Sequence, residues 1–218
     1  MTSLNRRLAV LISGRGSNLQ SILEAIAART LDATVAVVIS NRDDAAGLHR
    51  ARAAGVETIC VLPRDYPSRD DCDRAMVDIL RARDVGLVCL AGYMRILGRP
   101  LLQAFEHRIL NIHPSLLPSF PGLDAQRQAL EYGVCVTGAT VHLVTDGLDD
   151  GPIVAQRPVP VFGNDSVETL AARILVEEHR IYPEAIGLIL AGGWSVDGRR
   201  FVRRREAEGS GPRLPADS

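Results

Sequence analysis

The sequence predicts a single α/β domain on an open, twisted sheet. The sheet is expected to be parallel in its N-terminal half, with antiparallel strands in the C-terminal part and helices on both faces. Three observations lead there. Short apolar runs alternate with amphipathic helical segments from Leu8 to Leu90, the pattern of successive βαβ units. Beyond His113 two longer strand-like stretches, Val134–Val144 and Ile153–Val161, follow one another as antiparallel strands. The 218 residues fit one domain of ordinary size, and no internal repeat or linker divides them.

Taken in order, Leu8–Ile12 is apolar throughout, as a strand buried on both faces must be. It leads through Ser13-Gly14-Arg15-Gly16-Ser17-Asn18 into a helix from about Asn18 to Ala28. Val35–Ile39 is the second strand, Ala45–Ala54 a helix ended by Gly55, and Thr58–Val61 the third strand. Ser68 caps a helix reaching about Arg83. Val85–Leu90 is the fourth strand and runs into Ala91-Gly92-Tyr93-Met94-Arg95-Ile96-Leu97. The fifth begins at Arg108 and ends at His113, because Pro114 has no backbone donor and cannot extend a central ladder. Ala125–Tyr132 reads as helical, and Asp165-Ser166 opens a long helix to about Leu190. Trp194–Val202 has the apolar alternation and central Asp197-Gly198 of a hairpin. Residues 1–205 are thus expected to form the domain, and 206–218, rich in Gly, Pro and Ser, a flexible tail.

Composition narrows the chemistry. Apolar residues make up 46% and charged residues 23%, the balance of a soluble globular protein. The net charge of −1 supplies no field for nucleic acid or an acidic membrane. All basic residues are Arg, so lysine Schiff-base and P-loop lysine mechanisms are excluded. Cys60, Cys72, Cys89 and Cys135 lack ligand spacing and read as reduced core residues, with no metal site expected. The apolar run near the N-terminus is too short for a signal peptide or membrane span, so a cytoplasmic protein is expected.

Three segments carry candidate chemistry. Asn111 and His113 are two apart on a strand, so their side chains share a face at its carboxyl end, where open parallel sheets bind ligands. An amide donor beside an imidazole suits a reaction that develops negative charge on a carbonyl oxygen. Gly14–Asn18 joins a strand to a helix N-terminus, which favours an anion; without a third Gly it is not a dinucleotide fingerprint. Ser17 and Asn18 add side chains suited to a single phosphate. The acidic loop Thr145–Pro152 is by itself an ordinary solvated turn. If it faces His113, one of its carboxylates favours the imidazolium and raises the His113 pKa.

Together these segments closely resemble the phosphoribosylglycinamide formyltransferase family. The resemblance rests on Leu11–Gln20, Leu90–Leu97, Asn111–Pro118, Pro121-Gly122-Leu123, Arg127–Leu130, Gly138–His142 and Leu148–Pro152, which run in family order from about Leu8 to Pro183. It implies a Rossmann-like sheet and transfer of a formyl group from 10-formyltetrahydrofolate, the cosubstrate, to the amine of 5-phosphoribosylglycinamide. By the same resemblance Gly16, Ser17 and Asn18 bind the phosphate, and Glu178 contacts the glycinamide end. Arg69, Met94, Arg95, Ile96, Leu97, Asn111 and the loop Thr145, Asp146, Gly147, Leu148 and Asp149 bind the folate. Asn111, His113 and Asp149 are the catalytic three. A nucleotide-binding half, about 1–100, and a folate-binding catalytic half, about 101–205, follow. Partners are small molecules, not nucleic acid or membrane, with a homodimer left open.

One departure stands out: where the family usually carries two histidines after Pro121-Gly122-Leu123, this chain has Asp124 and Gln126. Rival readings are weaker. A methionyl-tRNA formyltransferase is expected to carry a further C-terminal RNA-binding domain, and a formyltetrahydrofolate hydrolase an N-terminal regulatory one. An NAD-dependent oxidoreductase is disfavoured by the incomplete glycine pattern, and a non-catalytic nucleotide-binding module leaves Asn111, His113 and Asp149 unexplained.

Overall fold

The structure, a computed structural model, describes residues 4–203; the tail expected at 206–218 lies outside the described residues. Strands β1 (Arg7–Ile12), β2 (Thr34–Ser40), β3 (Thr58–Cys60), β4 (Leu87–Leu90), β5 (Ile109–His113), β6 (Val136–Leu143) and β7 (Ile153–Pro160) form one sheet in the order β3-β2-β1-β4-β5-β6-β7. The first five are parallel, and β6 and β7 are antiparallel, as expected. Chain order reverses across the β1/β4 pair, so the loops leaving those strands diverge and open a crevice at their carboxyl ends.

The all-apolar β1 is accounted for by two cores. Its alternate side chains Leu8, Val10 and Ile12 enter one cluster, with Leu19 and Ile22 of helix α1 (Ser17–Ala27) and Ile181, Tyr182 and Ile186 of helix α6 (Val167–Ala191). Ala9 and Leu11 enter the other, with Cys72, Met76 and Leu80 of helix α3 (Arg69–Ala82). Helix α2 (Gly47–Ala53) follows β2, and helix α5 (Ala125–Tyr132) occupies the expected residues. Ser68 Oγ accepts from the Asp71 N–H at 3.1 Å, and Ser166 and Thr169 form a reciprocal cap on α6. Strands β8 (Trp194–Asp197) and β9 (Arg200–Arg203) form the expected hairpin.

Some expectations needed correction. Helix α4 (Arg99–Ala104) and a 3₁₀ turn at Pro63–Asp65 are too short to show a hydrophobic period. Cys60 and Cys135 are exposed, not core, while Cys72 and Cys89 are buried; all four are free. Cys60 ends the edge strand β3, and Cys135 precedes β6 at the rim of the sheet. At the other edge, Pro158 and Pro160 on β7 lack the donors that would invite another strand. No helix among the described residues is long and apolar enough to cross a membrane.

Candidate active site

The site spans the carboxyl ends of β1, β4 and β5. At the end of β1 the chain turns through Gly16, whose φ of +70° places it in the left-handed region at the N-cap of α1. A Cβ there would lie 2.6 Å from Gly47 Cα, so glycine is demanded by the packing of this turn against α2 as well as by any ligand. Ser17 therefore starts the helix instead of capping it, and the first N–H groups of α1 have no intrahelical partner. Asn18 is buried; its Nδ2 donates to Glu178 Oε2 at 2.7 Å, while its Oδ1 has no partner among the described residues. Burial pushes the Glu178 carboxyl up, offset in part by the Asn18 amide and the Arg15 charge. One helical turn beyond Glu178, the Tyr182 hydroxyl donates to Leu90 O (2.9 Å) and lies 3.2 Å from Leu110 O, pinning this face of α6 to β4 and β5.

At the end of β5 three residues from two segments converge, Asn111 and His113 of the strand and Asp149 of the acidic loop. The acidic loop brings Asp149 to within 3.3 Å of His113 Nδ1 and 3.5 Å of Asn111 Nδ2. Its other contacts are the Gly122 N–H (2.8 Å) and His142 Nε2 (3.6 Å). On the far side of the imidazole, His113 Nε2 donates to Phe120 O at 2.8 Å. That carbonyl only accepts, so Nε2 carries a proton in either charge state and the titrating proton sits at Nδ1, facing Asp149. Two non-glycine residues adopt left-handed backbone to make these contacts, Phe120 (φ 56°) and Asp149 (φ 50°).

The electrostatics qualify one expectation. The His113 pKa is lowered, because burial outweighs the Phe120 carbonyl and the Asp149 charge that raise it. Asp149 does favour the imidazolium, but it offsets desolvation only in part. For Asp149 the balance falls the other way: burial raises its pKa, yet His142, the Gly122 N–H and the nearby imidazoles hold it below the usual carboxylate value.

His142 is the residue that sequence reasoning missed. It lies 3.1 Å from Asn111 Nδ2 and is 2% exposed, completing a buried cluster around Asp149. Cross-strand register puts it there: Asn111 pairs with His142, and His113 with Thr140. Thr140 Oγ1 donates to Ser115 O and accepts from the Leu117 N–H, which holds the loop after Pro114. The Leu117–Pro118 peptide in that loop is cis.

The remaining expected residues differ in exposure. Met94, Ile96 and Leu148 are exposed apolar side chains, while Leu97 is buried. Arg69 is exposed at the start of α3. Thr145 Oγ1 donates to Asp150 Oδ1 at 2.6 Å, and Gly147 packs against Asp150, which shapes the loop. Asp146 is exposed and makes no hydrogen bond among the described residues. Asp124, in the place of a family histidine, is exposed with a left-handed backbone (φ 56°) that aspartate tolerates. Among the described residues, no group of three or more His, Cys, Asp or Glu side chains is placed to hold a metal ion.

Comparison with known proteins gives the family. The profile of the formyl transferase family matches residues 6–186. The chain is 44% identical over 208 residues to phosphoribosylglycinamide formyltransferase of Escherichia coli, covering 95% of each. Its fold matches that of glycinamide ribonucleotide transformylase 1 from Symbiobacterium toebii, with a TM-score of 0.89 and 58% identity over 90% of this chain and 93% of the other. A formyltetrahydrofolate deformylase from Pseudomonas syringae shares the fold at 28% identity, with a TM-score of 0.84 over 91% of this chain and 66% of that one. The chain belongs to the formyl transferase family.

Proposed function

We propose that this protein transfers the formyl group of 10-formyltetrahydrofolate to the amine of 5-phosphoribosylglycinamide, a step of de novo purine biosynthesis. The observation that carries the reading is the convergence of Asn111 and His113 on Asp149, all within 3.5 Å, at the carboxyl end of β5. The substrate amine attacks the formyl carbon directly and makes a tetrahedral oxyanion. The Asn111 N–H and protonated His113 Nδ1 stabilise that oxyanion. His113 then gives its proton to the departing folate nitrogen, and the proton lost by the amine leaves through water held at Asp149. His113 Nδ1 suits this role because Nε2 is committed to Phe120.

The phosphate of the acceptor is assigned to Gly16, Ser17 and Asn18, at the N-terminus of α1. Glu178 and the unpartnered Asn18 Oδ1 are left to take donors from the glycinamide end. Residues 1–100 thus hold the phosphorylated substrate, and 101–205 the catalytic groups and much of the folate surface. Arg69, Met94, Ile96 and the loop Thr145–Asp149 face the folate, with the buried Leu97 anchoring its segment in the core. Both partners are read as small molecules, without nucleic acid or membrane; the enzyme is placed in the cytoplasm, and a homodimer fits this reading.

The deciding experiment is incubation with 10-formyltetrahydrofolate, with and without phosphoribosylglycinamide. Release of tetrahydrofolate only when the acceptor is present is expected. Release without it would make the protein a hydrolase, the activity named for its more distant structural relative.

A further inference from the structure

Over residues 93–97 burial alternates with a period of two. Tyr93 and Leu97 point inward and are buried, while Met94 and Ile96 point outward and are 67% and 64% exposed. Arg95 stands in the inward series, where an apolar residue is the ordinary choice, and only 12% of its side chain is exposed. The guanidinium is turned away from the crevice, into the N-terminal turns of α3.

The fork there reaches several partners at once. Nη1 lies 2.9 Å from Asp73 Oδ1 and 3.2 Å from Cys72 Sγ, while Nη2 donates to the Arg69 carbonyl at 3.1 Å. Asp73 is fully buried and accepts the Gly98 N–H through its other oxygen. At the start of this segment the Met94 N–H donates to Ser13 Oγ at 2.7 Å. Contact with α3 is close: a Cβ on Gly98 would lie 2.6 Å from Asp73 Oδ2 and 2.9 Å from Asp70 Oδ1.

We propose that Arg95 is a positioning residue for the folate rather than a ligand: its guanidinium staples residues 94–97 to Arg69 and so fixes the two folate-facing segments in register. This rests on the assignment of Arg69 and residues 94–97 to the folate, made above. A planar fork meets Asp73 and the Arg69 carbonyl together. A lysine ammonium, a single point charge, satisfies Asp73 but does not span to Arg69 in the same geometry. Misplacing a binding surface by about 1 Å can cost as much as 10²-fold in rate. The guanidinium's own contacts lie on α3 and not on Gly14–Asn18, so its loss acts on folate use first.

The test is steady-state kinetics of Arg95→Lys and Asp73→Asn, with Arg95→Met as the disruptive limit and thermal melting to establish folding. Arg95→Lys is expected to melt near wild type, with KM for 10-formyltetrahydrofolate raised about ten-fold, KM for phosphoribosylglycinamide unchanged and turnover at saturating folate retained. Ile96→Asp, on the exposed outer face, tests the folate assignment itself and is expected to raise only the folate KM. If Ile96→Asp raises that KM while folded Arg95→Lys and Asp73→Asn do not, the staple is overturned and the assignment survives. If neither face responds, the assignment fails and takes the staple with it. Equal rises in both KM values would make Arg95 a general structural residue. Should Arg95→Met fail to fold, Arg95→Lys and Asp73→Asn carry the decision.

Discussion

Where β1 ends, the crevice offers backbone donors; where β5 ends, it offers side chains. The first region uses a glycine turn, with Gly16 in the left-handed region, and the unpaired N–H groups of α1. The second uses Asn111, His113, His142 and Asp149, drawn from two paired strands and a loop. The first is one strand-to-helix turn steadied by Gly47 of α2 and Glu178 of α6, and the second needs correct cross-strand register, because a one-residue slip turns every side chain to the other face. The division also matches the proposed task. A phosphate keeps its charge throughout the reaction and suits fixed dipoles, whereas an oxyanion appears only in the transition state and suits donors held in place for that moment.

Substitutions can break this contrast, and the largest effect is expected at the end of β5. Asn111→Ala removes an oxyanion donor while its neighbours on β5 and β6 keep their pairing. Turnover should fall about 10²–10³-fold, or roughly 2.7–4 kcal/mol, with the melting temperature little changed. A folded variant with near-wild-type turnover would remove Asn111 from the chemistry.

Next comes the coupling of Asp149 to His113. Burial already holds His113 below its ordinary pKa of 6.5, and Asp149 opposes that shift. Asp149→Asn should lower the His113 pKa further. The protonated fraction is lost as pH rises through that pKa, so the alkaline fall in turnover should move to lower pH. NMR titration of His113 and the pH profile measure both. Because the pair serves one transition state, Asp149→Asn with His113→Ala should be little worse than His113→Ala alone. An unshifted His113 together with additive rate losses would reduce Asp149 to a loop-shaping residue.

The smallest of these effects is expected at the end of β1. Gly16→Ala forces a side chain into the left-handed region, at about 1–2 kcal/mol, and drives Cβ against Gly47 Cα. Melting should drop by several degrees. KM for the phosphorylated substrate should rise while the folate KM stays put. An unchanged melting temperature would show that the turn does not need glycine, and equal KM shifts would break the division between the two regions.

Local and periodic features were legible in the chain. The apolar β1, the Ser68 and Ser166 caps, the hairpin centred on Asp197-Gly198 and the end of β5 at Pro114 follow from sterics and hydrogen bonding within a few residues. Spacing alone put Asn111 and His113 on one face, and the glycines of Gly14–Gly16 marked the turn into α1. Short elements were not legible, because six residues of α4 give too little period to read.

What lay beyond the chain's own order was pairing at long range. Only the β5–β6 register brings His142 opposite Asn111, and only the folded acidic loop brings Asp149 across to His113. The balance that leaves the His113 pKa lowered despite its carboxylate depends on burial, which sequence spacing does not measure. Arg95 makes the same point. Its place in a family motif marks it for the folate, but its direction is set by α3, where a buried Asp73 supplies the charge that a buried guanidinium requires.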